Sequence, residues 1–520
     1  MPIIGNILQQ GIKLSRSVEE AKKTPYQQQK KELKKLLKKA EFTHFGLKYK
    51  FTEILKTLSL VSVLKKKNTK NFYQSFKENV PMYNYNTIFQ EWWHMALEGE
   101  EDVTWPGKVK FFALSSGTSE AASKHIPITD AQIKAIRKTG IKQILALKNF
   151  EFKPQSFEKS ILMLGGCTKL TDKGHYQEGD LSGITVSKIP LWFYKFYKPG
   201  KKVAEIKDWN KKLDEIAKSA KDWDIAFVVG VPAWIQIMIE RIIAYYKVDN
   251  IHEIWPNLVG FCHGGVSFEP YKKGFEQLLG KPIQYIETYL ASEGFIAFQV
   301  KPNSKSMRLM LNGGIFYEFV PFNEQNFDED GNMLASAETL MIDEVEENVD
   351  YALLMSTCSG AWRYLIGDTV RFTSKENAEI IITGRTKHFL SLCGEHLSVD
   401  NMNKAIQLVS EEFGIAIPEF TVAGVPIDTL FGHEWYLATD SQVDNELLAQ
   451  RIDYYLKTLN DDYITERNHA LKSVTVQALP IHVFYDYLRS KGKEGGQNKF
   501  PRVLKKAQYA DWKDFISVNS

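Results

Sequence analysis

Leu114-Ser115-Ser116-Gly117-Thr118-Ser119-Glu120, with Lys124 four residues on, is the stretch on which this chain turns. It follows an apolar run, residues 109–114, that reads as a buried strand carrying Lys110. Four hydroxyls and one glycine then fall within five residues. Small side chains let a polyphosphate approach the backbone, and hydroxyl and amide groups donate to its oxygens. An ordinary Ser/Thr/Gly turn has the same composition, so the rest of the chain has to separate the two.

At 520 residues the chain exceeds one simple core and predicts two or more domains. Hydrophobic residues at 44% and charged residues at 25% are the proportions of an ordinary globular protein. A net charge of +3 excludes a chain that binds polyanions over its whole surface. About three Lys/Arg for every Asp/Glu in residues 1–80 leave the remainder mildly acidic. The four cysteines, Cys167, Cys262, Cys358 and Cys393, lie far apart with no CxxC pair. That argues against a zinc ribbon or a disulfide scaffold and fits a reducing compartment. The apolar patch at residues 3–8 lacks the basic flank of a signal peptide. The longest apolar stretch, residues 225–239, is interrupted by Gly230, Pro232 and Gln236 and is too short to span a bilayer. The expectation is a soluble, cytoplasmic protein with no membrane and no nucleic-acid partner.

Residues 29–42 predict an amphipathic helix, with Leu33, Leu36, Leu37 and Ala40 on one face and lysines on the other. No aromatics interleave those lysines, so a solvated face is the better reading than a nucleic-acid surface. Residues 51–64 predict a second helix, and Trp92, Trp93 and Trp105 read as core. From residue 109 to about 372, apolar runs alternate with helical stretches at 130–139, 209–221, 232–246 and 271–279. Such alternation implies α/β layering around mostly parallel sheets, whose ligands sit at the carboxyl ends of strands. After Gly384-Arg385 the pattern becomes α+β, with helices at 399–413 and 444–459 and strands at 419–425 and 473–484. The expected division is a large N-terminal domain, 1–386, and a smaller mobile lid, 387–520.

Four further motifs stand at wide spacing. Tyr289-Leu290-Ala291-Ser292-Glu293-Gly294 puts a ring, a hydroxyl and a carboxylate after a strand. A Tyr can stack on a purine, a Ser can donate to phosphate, and a Glu can hold Mg²⁺ against polyphosphate oxygens. The same residues would also suit a helix start capped by Ser292. Gly367-Asp368 reads as a turn between strands, where the carboxylate could accept from both hydroxyls of a ribose. Thr383-Gly384-Arg385 adds a fixed cation that could contact phosphate or ribose, or form a surface ion pair. Gly495-Gly496-Gln497-Asn498-Lys499 presents a lysine near the C-terminus, suited to a pentacovalent phosphorus transition state, or simply an exposed tail charge.

In this order, Ser115–Lys124, Tyr289–Glu293, Tyr364–Asp368, Gly384–Arg385 and Lys499, the motifs resemble those of the adenylate-forming enzymes. Trp105-Pro106-Gly107-Lys108, Lys124-His125-Ile126-Pro127, Gly179-Asp180-Leu181-Ser182-Gly183-Ile184, Trp362-Arg363-Tyr364, Gly394-Glu395-His396-Leu397 and Lys499-Phe500-Pro501-Arg502 narrow the likeness. They resemble the plant auxin-responsive acyl acid–amido synthetases, the Gretchen Hagen family, and their bacterial relatives. The resemblance runs from the N-terminal helices nearly to the end of the chain.

That resemblance implies an ATP- and Mg²⁺-dependent ligase. It would adenylate a small carboxylic acid and pass the acyl group to an amine, an amino acid being the expected one. Ser115, Ser116, Gly117, Thr118 and Ser119 would hold the ATP phosphates. Tyr289 would lie against adenine, Ser292 would reach a phosphate, and Glu293 would bind the metal. Asp368 would hold the ribose with Arg385 assisting, Lys499 would be the adenylation lysine, and Lys387 would sit at the hinge. Glu120-Ala121-Ala122 and Leu290-Ala291 depart from the usual pattern without removing a proposed ligand. An acyl-CoA ligase sharing the first step and a non-catalytic nucleotide-binding protein are the alternatives. His125, His263 and His396 are unranked as bases, and the aromatic cluster Trp192, Phe193, Tyr194, Phe196 and Tyr197 is either acyl pocket or core.

Overall fold

Helix placement along the chain decides which strands run parallel in this computed structural model. It describes residues 23–64, 70–116, 123–189, 193–266, 268–328, 331–386, 389–395, 397–491 and 500–519. In chain order the first strands are β1 Phe111–Ser116, β2 Ser123–Ile128, β3 Ser160–Met163, β4 Thr171–Asp172, β5 Gln177–Gly179, β6 Tyr197–Lys198 and β7 Ile225–Gly230. There follow β8 Gly260–Gly264, β9 Gln284–Ala291, β10 Gly294–Gln299, β11 Met307–Leu309, β12 Ile315–Pro321, β13 Asp350–Thr357, β14 Tyr364–Ser374 and β15 Glu379–Arg385. The last are β16 Phe389–Leu390, β17 Leu397–Ser398, β18 Phe420–Ile427, β19 Leu430–Ala438, β20 Leu471–Leu479 and β21 Val503–Leu504.

Eleven strands form one sheet in the order β12-β13-β14-β15-β11-β10-β9-β8-β7-β3-β6. Strands β9, β8, β7, β3 and β6 pair parallel. From β12 to β9 every pairing is antiparallel. The parallel part is where the helices Trp209–Ser219, Pro232–Tyr246 and Glu269–Gln277 carry the chain back between strands. The other part uses direct returns, which can only be antiparallel. A separate four-stranded sheet, β2-β1-β5-β4, holds the hydroxyl-rich stretch at the end of β1.

The basic helix Pro25–Lys39 begins at the N-cap Thr24 with a Thr24/Gln27 capping box. Leu33, Leu36 and Leu37 are buried, while Lys31, Lys34, Lys35, Lys38 and Lys39 face solvent. Its buried polar residues serve the edge of the large sheet. The Gln29 amide donates to Leu311 O and Ile315 O and accepts from Tyr317 N at 2.7 Å. Gly314 N donates to Glu32 at 3.1 Å. The helix therefore covers the outer strand β12 and satisfies groups that an open edge would leave free. Trp92, Trp93 and Trp105 are core, as read.

Near the C-terminus, β20-β19-β18-β21 form a four-stranded sheet buried on both faces. Trp435 and Leu437 of β19 pack toward the helices Val399–Phe413 and Asn445–Leu459, while Tyr436 and Ala438 pack toward Ile481–Ser490 and Lys506–Asn519. The expected strand at 473–484 is shorter than read: Pro480 ends it and starts the helix Ile481–Ser490. This region meets the helix Pro232–Tyr246. Trp234 Nε1 donates to Glu466 at 2.9 Å, and Gln236 Nε2 donates to Thr429 O at 2.9 Å.

Candidate active site

The carboxyl end of β9 supplies three of the predicted residues. Ala291 and Gly294 are paired across β9 and β10, so Ser292 and Glu293 form the two-residue connection between them. The alternative of a helix start is thereby excluded. Gln132 Nε2 donates to Ser292 O at 2.7 Å and fixes this turn from the helix Asp130–Ala146. Tyr289 points into the core with 6% of its surface exposed, and Glu293 with 8%.

Asp368 does not lie in a turn, as the Gly-Asp pair suggested, but inside the continuous strand β14. Gly367 before it has a φ of +91°, a conformation that needs glycine, and this redirects the strand. Across the sheet, Asp368 is the register partner of Arg385. Arg385 Nε stands 3.2 Å from Asp368 Oδ1, and Tyr289 OH donates to Asp368 Oδ2 at 2.5 Å. Thr386 N donates to Gly367 O at 2.9 Å and holds the end of β15 in place.

These groups share one electrostatic environment. Burial pushes the Glu293 carboxyl up, Asp368 adds to that rise, and Lys124 and Arg385 counter it. The Tyr289 hydroxyl is driven far above its usual range by burial and then by Asp368. Tyr364, at the start of β14, is also raised by burial and by its hydrogen bond to Glu293. Lys124 lies on β2 opposite Ser115, with its ammonium 5.3 Å over the Tyr85 ring. Tyr85 OH accepts from His125 N at 2.9 Å, and burial pushes its pKa up to about 12. Residues 124, 289, 293, 364, 368 and 385 thus come from three regions of sequence and act on one another, with residue 115 opposite 124 in register.

Tyr364 and Tyr85 were not assigned roles from the sequence. Tyr364 stood inside a quoted motif, but nothing local announced that its hydroxyl meets Glu293. Arg363, from the same motif, turns away from the site. It is 4% exposed and pairs with the fully buried Glu318, with Nη2 donating to Thr339 Oγ1 and Nη1 to Val80 O. Gly117, Thr118, Ser119, Lys387, His396, Lys499 and Trp192 lie outside the described residues. For Ser116 only the backbone, paired with Ser123, is described. Helix Asp461–His469 rests against β1, whose end leads into the hydroxyl-rich stretch.

Two histidines can now be placed. His125 sits 3.3 Å from Glu178, which also pairs with Lys173 at 3.0 Å. His263 is buried among Phe261 and Phe268, and burial lowers its pKa to about 4. Phe193, Tyr194 and Tyr197 pack with Val186 and Ala204 in a small apolar cluster. All four cysteines are free. Among the described residues, no group of three or more His, Cys, Asp or Glu could hold a metal, and no helix is long and apolar enough to cross a membrane.

Known proteins share this architecture. The GH3 family N-terminal domain matches residues 14–215, the central domain residues 308–382 and the C-terminal domain residues 400–508. Indole-3-acetic acid-amido synthetase GH3.4 of Arabidopsis thaliana is 25% identical over 284 residues, covering 49% of this chain and 45% of its own. Jasmonoyl--L-amino acid synthetase GH3.5 of Oryza sativa subsp. japonica is 26% identical over 175 residues, covering 31% and 29%. The chain spans less than half the length of the curated relatives it matches. Among solved structures, the GH3.15 acyl acid amido synthetase superposes with a TM-score of 0.56 at 15% identity, covering 98% of this chain and 95% of that one. A 2-hydroxyisobutyryl-CoA ligase in complex with 2-HIB-AMP and CoA gives 0.57 at 12% identity, covering 94% and 91%. These structural likenesses show that the fold is shared, and by the three matched domains the chain belongs to the GH3 family.

Proposed function

We propose that this protein is an ATP-dependent acyl-acid amido synthetase acting on a small carboxylic acid and an amino acid. The observation that carries this is the convergence of Tyr289, Glu293, Asp368 and Arg385 with Lys124 at the carboxyl end of β9. Asp368 is held by Tyr289 on one oxygen and Arg385 on the other. Each oxygen keeps a lone pair for a ribose hydroxyl. Arg385 pairs with the carboxylate, and Tyr289 would lie on the adenine side.

Glu293 suits a magnesium ion that is shared with substrate. Mg²⁺ keeps several waters and is bound through one or two carboxylates plus phosphate oxygens, so a lone buried acid fits better than a protein cage would. A bound divalent cation would neutralise the charge that burial now disfavours. Ser115, Ser116, Gly117, Thr118 and Ser119 would donate to the phosphates, with Ser292 reaching one from the other side. Lys499 would meet the α-phosphate from a lid formed by residues 387–520, with Lys387 at its hinge.

The acid's carboxylate attacks the α-phosphorus, the bond to the β-phosphate breaks, and pyrophosphate leaves. The amine, having lost a proton to water, then attacks the acyl carbonyl and AMP departs with the bonding pair. Anion meets anion in the first step, and the fixed cations of the cleft offset that repulsion. The relatives' names, indole-3-acetic acid-amido and jasmonoyl–amino acid synthetases, favour an amino acid as the acceptor. The fold of the CoA ligase keeps coenzyme A as the second reading. ATP–pyrophosphate exchange with a panel of carboxylic acids tests the first step. Adding amino acids or coenzyme A separately then decides the acceptor, and consumption of the adenylate by coenzyme A alone would overturn the amide assignment.

A further inference from the structure

Tyr85 grips the edge of β2 at two points, and the adenylation chemistry assigned above gives it no part. It is 8% exposed and opens the short helix Tyr85–Ile88. β2 is the outer strand of its sheet, so alternate amides along it have no strand to meet. Tyr85 OH accepts one of them, His125 N, at 2.9 Å. The ring of the same tyrosine lies 5.3 Å beneath the ammonium of the preceding residue, Lys124. Lys124 is half-buried and stands opposite Ser115 in register. A ring holds an ammonium in place without discharging it, as a carboxylate would.

The same tyrosine is joined to the other charge of the site through two rings. Its ring centroid lies 6.2 Å from that of Trp93, edge to face, and Trp93 lies 5.5 Å from Tyr364. Tyr364 in turn hydrogen-bonds Glu293. The backbone repeats the connection. Tyr83 N donates to Arg363 O at 2.9 Å and Leu365 N donates to Tyr83 O at 2.8 Å, so the chain two residues before Tyr85 brackets Tyr364. Residues Phe89–Trp93 form a π-helical turn between the helices Tyr85–Ile88 and His94–Leu97. Such turns are rare and occur often at functional sites. Here both tryptophans of the turn are buried, Trp92 Nε1 donating to Tyr83 OH at 3.2 Å and Trp93 Nε1 to Gly360 O at 3.3 Å. Segment 83–93 is thereby fastened to β14 on one side and to β2 on the other.

We propose that Tyr85 is a positioning residue for adenylation: its ring seats the Lys124 ammonium for the β- and γ-phosphates, and its contacts through Trp93 and Tyr364 fix that seat relative to Glu293. This rests on the adenylation assignment above. A polyphosphate held by the Ser115 stretch meets a cation set opposite Ser115, and Glu293 is the carboxylate assigned to its metal. The spacing of Lys124 and Glu293 must then suit one ligand, and a misplacement of about 1 Å can cost about 10²-fold in rate. The nucleoside end is assigned to Asp368, Arg385 and Tyr289, so AMP is the ligand that leaves Lys124 out.

Binding of MgATP and of AMP is measured by titration calorimetry on the full chain. Lys124→Met is expected to weaken MgATP by about tenfold or more and AMP by less than about twofold. Tyr85→Leu should reproduce that split. Tyr85→Phe keeps the ring, loses only the bond to His125 N, and should keep most of the MgATP affinity. In the Lys124→Met background, Tyr85→Leu should cost nothing further, because the ring then has no ammonium to seat. A tyrosine that served packing alone would weaken both ligands alike, with or without Lys124. Equal losses for MgATP and AMP, additive losses from the two substitutions, or unchanged MgATP binding in Lys124→Met overturns the positioning role alone. The last of these needs no Tyr85 variant, and thermal unfolding checks that the others fold. Absence of pyrophosphate exchange by wild type with every acid overturns the adenylation assignment and the positioning role with it.

Discussion

Asp368 and Arg385 are cross-strand partners on β14 and β15, with the guanidinium Nε 3.2 Å from the carboxylate Oδ1. Tyr289 holds the other oxygen from β9, so one carboxylate ties together strands that are not neighbours in the sheet. Asp368→Asn keeps the shape and removes the charge. It is expected to lower kcat/KM for ATP in pyrophosphate exchange by about 10²-fold, whereas wild-type kinetics in that variant would remove Asp368 from the nucleotide site.

Glu293 couples function to a stability cost. Its folded-state pKa is raised, so the folded protein holds this proton more tightly than the unfolded chain. Stability contributed by that proton is present at low pH and declines as pH rises through the window between the ordinary and the raised value. Glu293→Gln should therefore melt at a higher temperature than wild type at pH 7, yet lose at least about 10²-fold in exchange. Calorimetry and the exchange assay on the same preparation check both halves.

Tyr364 donates to the Glu293 carboxylate and so favours its charged form. Tyr364→Phe should push the Glu293 pKa further up. The acid limb of the exchange–pH profile should then move to higher pH, and stability should fall by about 1–3 kcal/mol for the lost buried hydrogen bond. An acid limb that stays in place would separate Tyr364 from the titration of Glu293.

Arg363 and Glu318 form a buried ion pair that sits apart from the cleft, with Tyr73 OH donating to Glu318 at 2.9 Å. Removing one partner strands the other charge. Arg363→Ala is expected to cost about 3–5 kcal/mol in urea unfolding, more than most surface substitutions in this protein.

Trp234 and Glu466 join the helix Pro232–Tyr246 to the helix Asp461–His469. Burial raises the Glu466 pKa strongly, and Glu395 and Asp462 add to the rise. The Trp234 bond itself favours the carboxylate, but burial outweighs it, so the folded state is favoured while Glu466 is neutral and loses that stability as pH rises toward the raised value. Glu466→Gln keeps an acceptor for the Trp234 indole and should make thermal stability less dependent on pH on the alkaline side. An unchanged alkaline dependence would show that Glu466 does not set it.

Part of the candidate site was legible in order along the chain. Tyr289, Glu293, Asp368 and Arg385 were each named from residue type and spacing, and the structure brings these four together. Less legible were features set by neighbours far away in sequence. Gly367-Asp368 reads locally as a turn, but β13 and β15 pair on either side of it and keep it within a strand. The sheet was expected to be mostly parallel, and only helix-bearing connections made it so. Arg363 is indistinguishable in sequence from a phosphate ligand until Glu318 is seen beside it.

By itself the sequence determined the periodicity of its elements, the chemistry available at each strand end, and the order of motifs by which the family resemblance was read. Those properties are local, because they depend on residue type and on spacing within a few turns. Tertiary structure alone decided that Tyr289 would bind Asp368 and that Tyr364 would reach Glu293. Each of these depends on distances between residues far apart in the chain. Such distances come from the packing of whole strands and helices, and no short stretch of residues encodes them.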